Sequence, residues 1–233
     1  MKILVACEES QRVCTELRKL GHEAYSCDIQ EPSGGHPEWH ILGDVLEVLN
    51  PVESLCLGKV RKAVAFATMD GKSHIIWGKW DMIIAHPPCT YLSNAGAARL
   101  YPRKGQLNKE RYQLGLKAKD FFMNFINADC DKIAVENPIP TRIYGLLPYS
   151  QIIQPYEFGE PYSKKTCLWL KNLPKLQPTN IVKPICSWVS GGSKDSHGNK
   201  RSNTGMTFRD SKTKSKTFPG IAKAMAEQWA GKA

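Results

Sequence analysis

No stretch of this chain approaches the roughly 18 consecutive apolar residues of a membrane-spanning helix. Its opening, "MKILVACEES", reaches an acidic pair too soon for a secretory leader, so a cytoplasmic protein without membrane attachment is expected. No two of the eight cysteines, at 7, 14, 27, 56, 89, 130, 167 and 186, form a CxxC pair, and the histidines do not cluster. A zinc site is therefore not expected, and the thiols read as reduced and mostly buried small hydrophobes. Internal repeats and low-complexity tracts are missing too. What remains is an ordinary soluble composition, 42% hydrophobic and 23% charged over 233 residues, enough for one α/β domain with a substantial core.

Negative charge is also scarce. Against 32 Lys and Arg stand 22 Asp and Glu, a formal net charge of +10. Much of the excess lies between 171 and 216, in "KNLPKLQPTNIVK" and "SKDSHGNKRSNTGMTFRDSKTKSK". Such a surplus fits a polyanionic partner, nucleic acid first, or a solvated surface, and the charge alone leaves both readings open.

The apolar runs alternate in kind. "KILVAC" reads as a buried strand, "RVCTELRKLGH" as a helix with Val13, Leu17 and Leu20 on one face, and "EAYSCDI" as a second strand ending in Asp28. "HILGDVLEVL" is a third short apolar element, and 60 to 80 holds Asp70-Gly71 between two apolar stretches, a hairpin or an irregular insertion. "WDMIIA" is a strand. A helix is expected from about 107 to 127, then strands at "KIAVEN", "QIIQPYEF" and "TCLWL" and a last helix at "GIAKAMAEQWAGK". The alternation predicts a doubly wound, Rossmann-like α/β sheet with helices on both faces, whose ligands sit at the carboxyl ends of strands. The expected division is a catalytic domain over 1–170 with an insertion or hairpin near 51–79, a small basic recognition or loop segment over 171–216, and a closing helix over 217–233.

At those strand ends lie Glu8, Glu9, Asp28, Asp44, the segment "HPPCTYLS" and Glu136-Asn137. Pro87 and Pro88 stop a strand and hold Cys89 in a stiff turn, which suits either a nucleophilic thiol or a thiol packed beneath a strand terminus. "AVENP" brings a carboxyl group, Glu136, to the same rim. Ser93 and Asn94 read as braces of the turn, with substrate contact second. Of the histidines only His86 borders this chemistry, and it is read as making a structural hydrogen bond. Arg142 has two readings, a phosphate contact or a solvated side chain.

Pro87-Pro88-Cys89 followed by Ser93, and then Glu136-Asn137, resembles the paired Pro-Pro-Cys and Glu-Asn motifs of the DNA cytosine-5 methyltransferases, and the chain looks like that family's small phage and prophage members. Asp28 is similar in place to the family's ribose-binding acid and Gly43-Asp44 to its adenine-facing Gly-Asp. "FGEPYSKKTCLWL" resembles the Tyr-Gly-x-Pro-Gln-x-Arg-x-Arg segment, and "TFPGIAKAMAEQW" the closing helix. The resemblance implies S-adenosylmethionine as cofactor, held near Ala6, Cys7, Asp28, Asp44 and Pro87. Its implied substrate is a flipped or single-stranded cytosine in DNA, contacted by Pro88, Ser93, Asn137, Lys165 and Arg142. Cys89 would add to carbon 6 of the ring, Glu136 would hold the ring-nitrogen edge, and Lys164 would stand in for the first Arg. The implied setting is the cytoplasm of a bacterial host if the chain is phage-encoded.

The pattern departs from the family in three places. Cys7, Glu9, Gln11 and Arg12 stand where the family has its glycine-rich first loop. Tyr162, Lys164 and Thr166 replace the Gln and both Arg. Only residues 171 to 217 lie where the family carries a target-reading domain. Two alternatives stay open: a related pyrimidine-modifying enzyme with another base, nucleotide or donor, and an inactive nucleic-acid-binding relic of a methyltransferase.

Overall fold

The computed structural model describes residues 1–56, 59–97, 99–103, 105–188 and 211–233. In chain order its elements are β1 (Lys2–Ala6), α1 (Arg12–Lys19), β2 (Glu23–Asp28), β3 (His40–Leu42), α2 (Leu46–Leu49), β4 (Val52–Cys56), β5 (Lys59–Ala67), β6 (Ser73–Trp77) and β7 (Met82–Ala85). There follow α3 (Asn94–Ala97), α4 (Lys109–Ile126), β8 (Ile133–Pro138), β9 (Gln151–Ile153), β10 (Tyr162–Ser163), β11 (Thr166–Lys171), β12 (Cys186–Ser187), α5 (Ser211–Ser215) and α6 (Pro219–Met225).

Seven strands form one mixed, mostly parallel sheet in the order β3-β2-β1-β7-β8-β11-β9. The first five are parallel to one another, and β11 runs antiparallel to both β8 and β9. The pleat explains why these strands read as unbroken apolar runs. On one face Ile3, Val5, Met82, Ile84, Ala134 and Leu168 pack against α1, α6 and the π-helical turn Ala226–Ala230 that follows it, through Val13, Leu17, Ile221, Met225 and Trp229. On the other, Leu4, Ile83, Ile133 and Val135 meet Phe122 and Phe125 of α4. A strand covered on both faces has no polar side to alternate with. The fold is therefore α/β with helices on both faces of the sheet.

The insertion is a separate three-stranded antiparallel sheet, β4-β5-β6, whose Val64, Phe66 and Ile76 join Trp80 and Phe122 in the same core. Its β5–β6 hairpin closes at Asp70-Gly71, where Thr68 N donates to Lys72 O at 2.9 Å and Gly71 takes φ 83°. Two expected elements are divided instead. "HILGDVLEVL" splits into β3 and α2, with Gly43 N bonded back to Asp28 O. "QIIQPYEF" is strand only to Ile153, because Pro155 starts a 3-10 turn over Pro155–Glu157. The basic run from 189 to 210 lies outside the described residues. Among the described residues no helix is long and apolar enough to cross a membrane.

Candidate active site

Strand order reverses between β1 and β7: β2 and β3 extend to one side of that pair, β8 to the other. In sheets of this kind the crevice outside the carboxyl ends at such a point is where ligands bind. Here that rim carries Glu8 and Glu9 after β1, Asp28 at the end of β2, Asp44 after β3, His86 to Cys89 after β7, and Glu136 and Asn137 in β8.

The turn holding Cys89 is built by backbone constraints. His86 N extends the β7 ladder by one bond to Ala6 O, at 2.9 Å, and Pro87 then offers no donor, so pairing stops. Cys89 O accepts Ser93 N at 3.0 Å, and Ser93 Oγ accepts Gly96 N at 3.2 Å to begin α3. Asn94 N donates to Ile139 O at 2.9 Å and Thr141 N to Leu92 O at 2.7 Å. These two bonds stitch the Cys89 loop to the chain leaving Glu136.

The charges in this crevice are coupled. Burial pushes the Cys89 thiol up, the Glu136 carboxylate adds to that, and the Lys164 ammonium opposes it. Burial alone would also raise Glu136, but His86, Lys164 and a hydrogen bond from Thr166 outweigh it and hold the carboxyl below its usual range. His86 Nδ1 lies 3.5 Å from Glu136 Oε2, an ion-pair separation longer than a well-formed hydrogen bond. Lys164 is itself positioned: Nζ donates to Lys214 O of α5 at 3.1 Å and sits 5.9 Å from the centre of the Phe218 ring.

The glycine-free first loop takes the backbone that glycine would permit. Cys7 and Gln11 both adopt left-handed conformations, φ 57° and 55°. Gln11 is fully buried, donating from Nε2 to His36 O at 2.8 Å and accepting His36 N on Oε1 at 3.1 Å. The buried Glu8 carboxylate accepts Val13 N at 2.7 Å and Cys14 N at 3.2 Å, occupying the amides at the α1 N-terminus. Burial raises its carboxyl despite those bonds and the nearby His86. Cys7 is raised well above a free thiol by burial and then by Asp28, Cys27 and Asp44, so Cys7, Asp28 and Asp44 share one corner of the rim.

The remaining expected residues divide by exposure. Ala6 is fully buried and offers this rim only its carbonyl, already bonded to His86. Pro87 is buried under the turn, while Pro88, Lys165 and Arg142 are exposed, Arg142 at the start of a 3-10 turn. Ser93 and Asn137 are buried, and Asn137 Nδ2 donates to Pro138 O at 2.6 Å. His86, which spacing alone did not raise above a structural role, acts on Glu136 and also on Glu8. Thr166 was visible only as the residue in the place of an Arg. Among the described residues no group of three or more His, Cys, Asp or Glu is arranged to hold a metal ion. No protein-family model matches the chain, and no curated protein matches it.

Proposed function

We propose that the chain is a DNA cytosine-5 methyltransferase-like enzyme acting through Cys89 and Glu136. The observation that carries this reading is the coupled group of Cys89, Glu136 and Lys164 at the point where the strand order reverses, on loops tied together by backbone hydrogen bonds. The order of the first five sheet strands supports a Rossmann-like arrangement, since dinucleotide-binding sheets run 3-2-1-4-5 through the same switch.

Cytosine carbon 5 is a weak nucleophile until a thiolate adds to carbon 6. At rest the Cys89 thiol holds its proton and Glu136 does not, so the proton must leave sulfur as the sulfur–carbon bond forms. Ring nitrogen 3 gains a proton in the same step, and Glu136, beside the thiol, is the group positioned to carry it. Lys164 favours the thiolate and steadies Glu136. The buried ring atoms of a duplex are out of reach, so the base must be flipped out or single-stranded.

Asp28 and Asp44 beside Cys7 are acceptors suited to the hydroxyls and amino group of a nucleoside, and so fit that end of S-adenosylmethionine. That cofactor supplies an electrophilic methyl group when bound. Its amino-acid end meets a different environment from a free helix N-terminus, because Glu8 already holds the α1 amides. The same observation favours, as a second reading, a related pyrimidine-modifying enzyme with another donor.

The test is a covalent adduct between the protein and DNA containing 5-fluorocytosine, in the presence of tritiated S-adenosylmethionine. Fluorine blocks the last elimination, so the expected result is a labelled species stable to denaturation and lost in Cys89→Ala. An adduct that forms without label would select the second reading. No adduct, together with no calorimetric binding of S-adenosylmethionine at millimolar concentration, would overturn the methyltransferase reading.

A further inference from the structure

Both ring nitrogens of His86 are buried, its side chain is 9% exposed, and beyond the 3.5 Å separation from Glu136 neither nitrogen has a hydrogen-bond partner among the described residues. A core histidine ordinarily anchors itself to a main-chain carbonyl or a side-chain oxygen, because a buried polar group without a partner is costly. Strand order accounts for what surrounds it instead. β7 lies beside β8, and the register that pairs Ala85 with Val135 carries on to bring His86 next to Glu136, with Nδ1 and Oε2 3.5 Å apart. Glu8, fixed by the α1 amides, is within electrostatic reach of His86.

We propose that His86 is a positioning residue: its ring, 3.5 Å from Glu136 Oε2, holds the Glu136 carboxylate charged and in place, and through it sets the reactivity of the Cys89 thiol. The charged groups facing this trio are Glu9, which acts on Glu8, and Lys164, which acts on Glu136. Cys89 responds to Glu136 and Lys164 rather than to His86 directly. The ring therefore works through the carboxylate. Removing it takes away part of what holds the Glu136 carboxyl low, so burial raises that carboxyl, its charge weakens and the thiol falls; neutralising Glu136 outright does the same and cuts the link. The inference rests on the proposed function only for the use made of Cys89, since the arrangement of charges stands without it.

Alkylation of Cys89 by iodoacetamide, followed by peptide mass across pH, reads this without any substrate. The expected result for His86→Gln is a lower midpoint and roughly tenfold faster alkylation at neutral pH, the change that one unit of thiol pKa produces. Glu136→Gln lowers the midpoint, and adding His86→Gln to it changes nothing further. An unmoved midpoint in His86→Gln, or an equal shift in both backgrounds, overturns the proposal. If His86→Gln does not fold, the His86 ring resonances are compared by NMR at one pH in the wild type and in Glu136→Gln. They move in the variant, and unmoved resonances refute the contact. Failure to trap DNA would leave all these midpoints where they are, so the two readings fail separately.

Discussion

At Gln11 the chain holds a left-handed backbone and a fully buried amide in the place where a glycine would cost nothing sterically. The side chain offsets that strain by joining the first loop to the one after β2, through both the N and O of His36 and through Ser26 Oγ at 3.2 Å. Gly34 is bound to this arrangement, because a Cβ there would meet Gln11 and the Ser10 carbonyl. Gln11→Ala removes those bonds and leaves buried groups unpaired. It is expected to cost about 2–4 kcal/mol, read as a lowered urea midpoint with an unchanged slope. Glu136→Gln belongs to the same scale but separates chemistry from stability. Methyl transfer should fall ~10²–10⁴-fold, while Cys89 alkylates faster at neutral pH because the carboxylate that raised it is gone.

Among the elements, α3 is four residues long yet decides where Cys89 sits. Gly96 packs so closely under Thr90 that a Cβ would run into the Thr90 carbonyl. Gly96→Ala is thus expected to open the turn, and a displacement of about 1 Å at a reacting atom is enough for ~100-fold loss. Adduct yield measures it, with thermal unfolding as the control that the sheet survives. The elements themselves were unequally legible. The β5–β6 hairpin was announced by Asp70-Gly71 and α4 by its periodicity; its start is fixed by Asn108, whose Oδ1 accepts Arg111 N at 2.9 Å. The strand β4 was not announced, because Val52 and Leu55 are exposed and leave no apolar face to read, its pairing coming from β5, the next strand in the chain.

Over the whole molecule, the C-terminal segment completes one layer. Phe218, Ile221, Met225 and Trp229 are each buried to 5% exposure or less, and the end is tied back by Ala233 N to Leu20 O and by His22 Nε2 at 2.8 Å from Gly231 O. Burial of such side chains is worth roughly 1.5–3 kcal/mol each, together comparable with the entire stability of a domain, about 5–15 kcal/mol. A chain ending at residue 217 is therefore expected to lose its cooperative thermal transition by circular dichroism, and a cooperative transition near that of the full chain would contradict this. The sequence by itself determined the α/β alternation, the arrest of β7 at Pro87-Pro88, and the presence of a thiol and a carboxylate at strand ends. Those are local matters, decided by periodicity and by proline's missing donor. Only the tertiary structure decided that His86 stands beside Glu136, that Glu8 fills the α1 N-terminus, and that Lys164 reaches the pair from β11's approach. Residues so far apart in the chain meet through the order of strands in the sheet, which depends on how both faces are covered and not on any spacing within one segment.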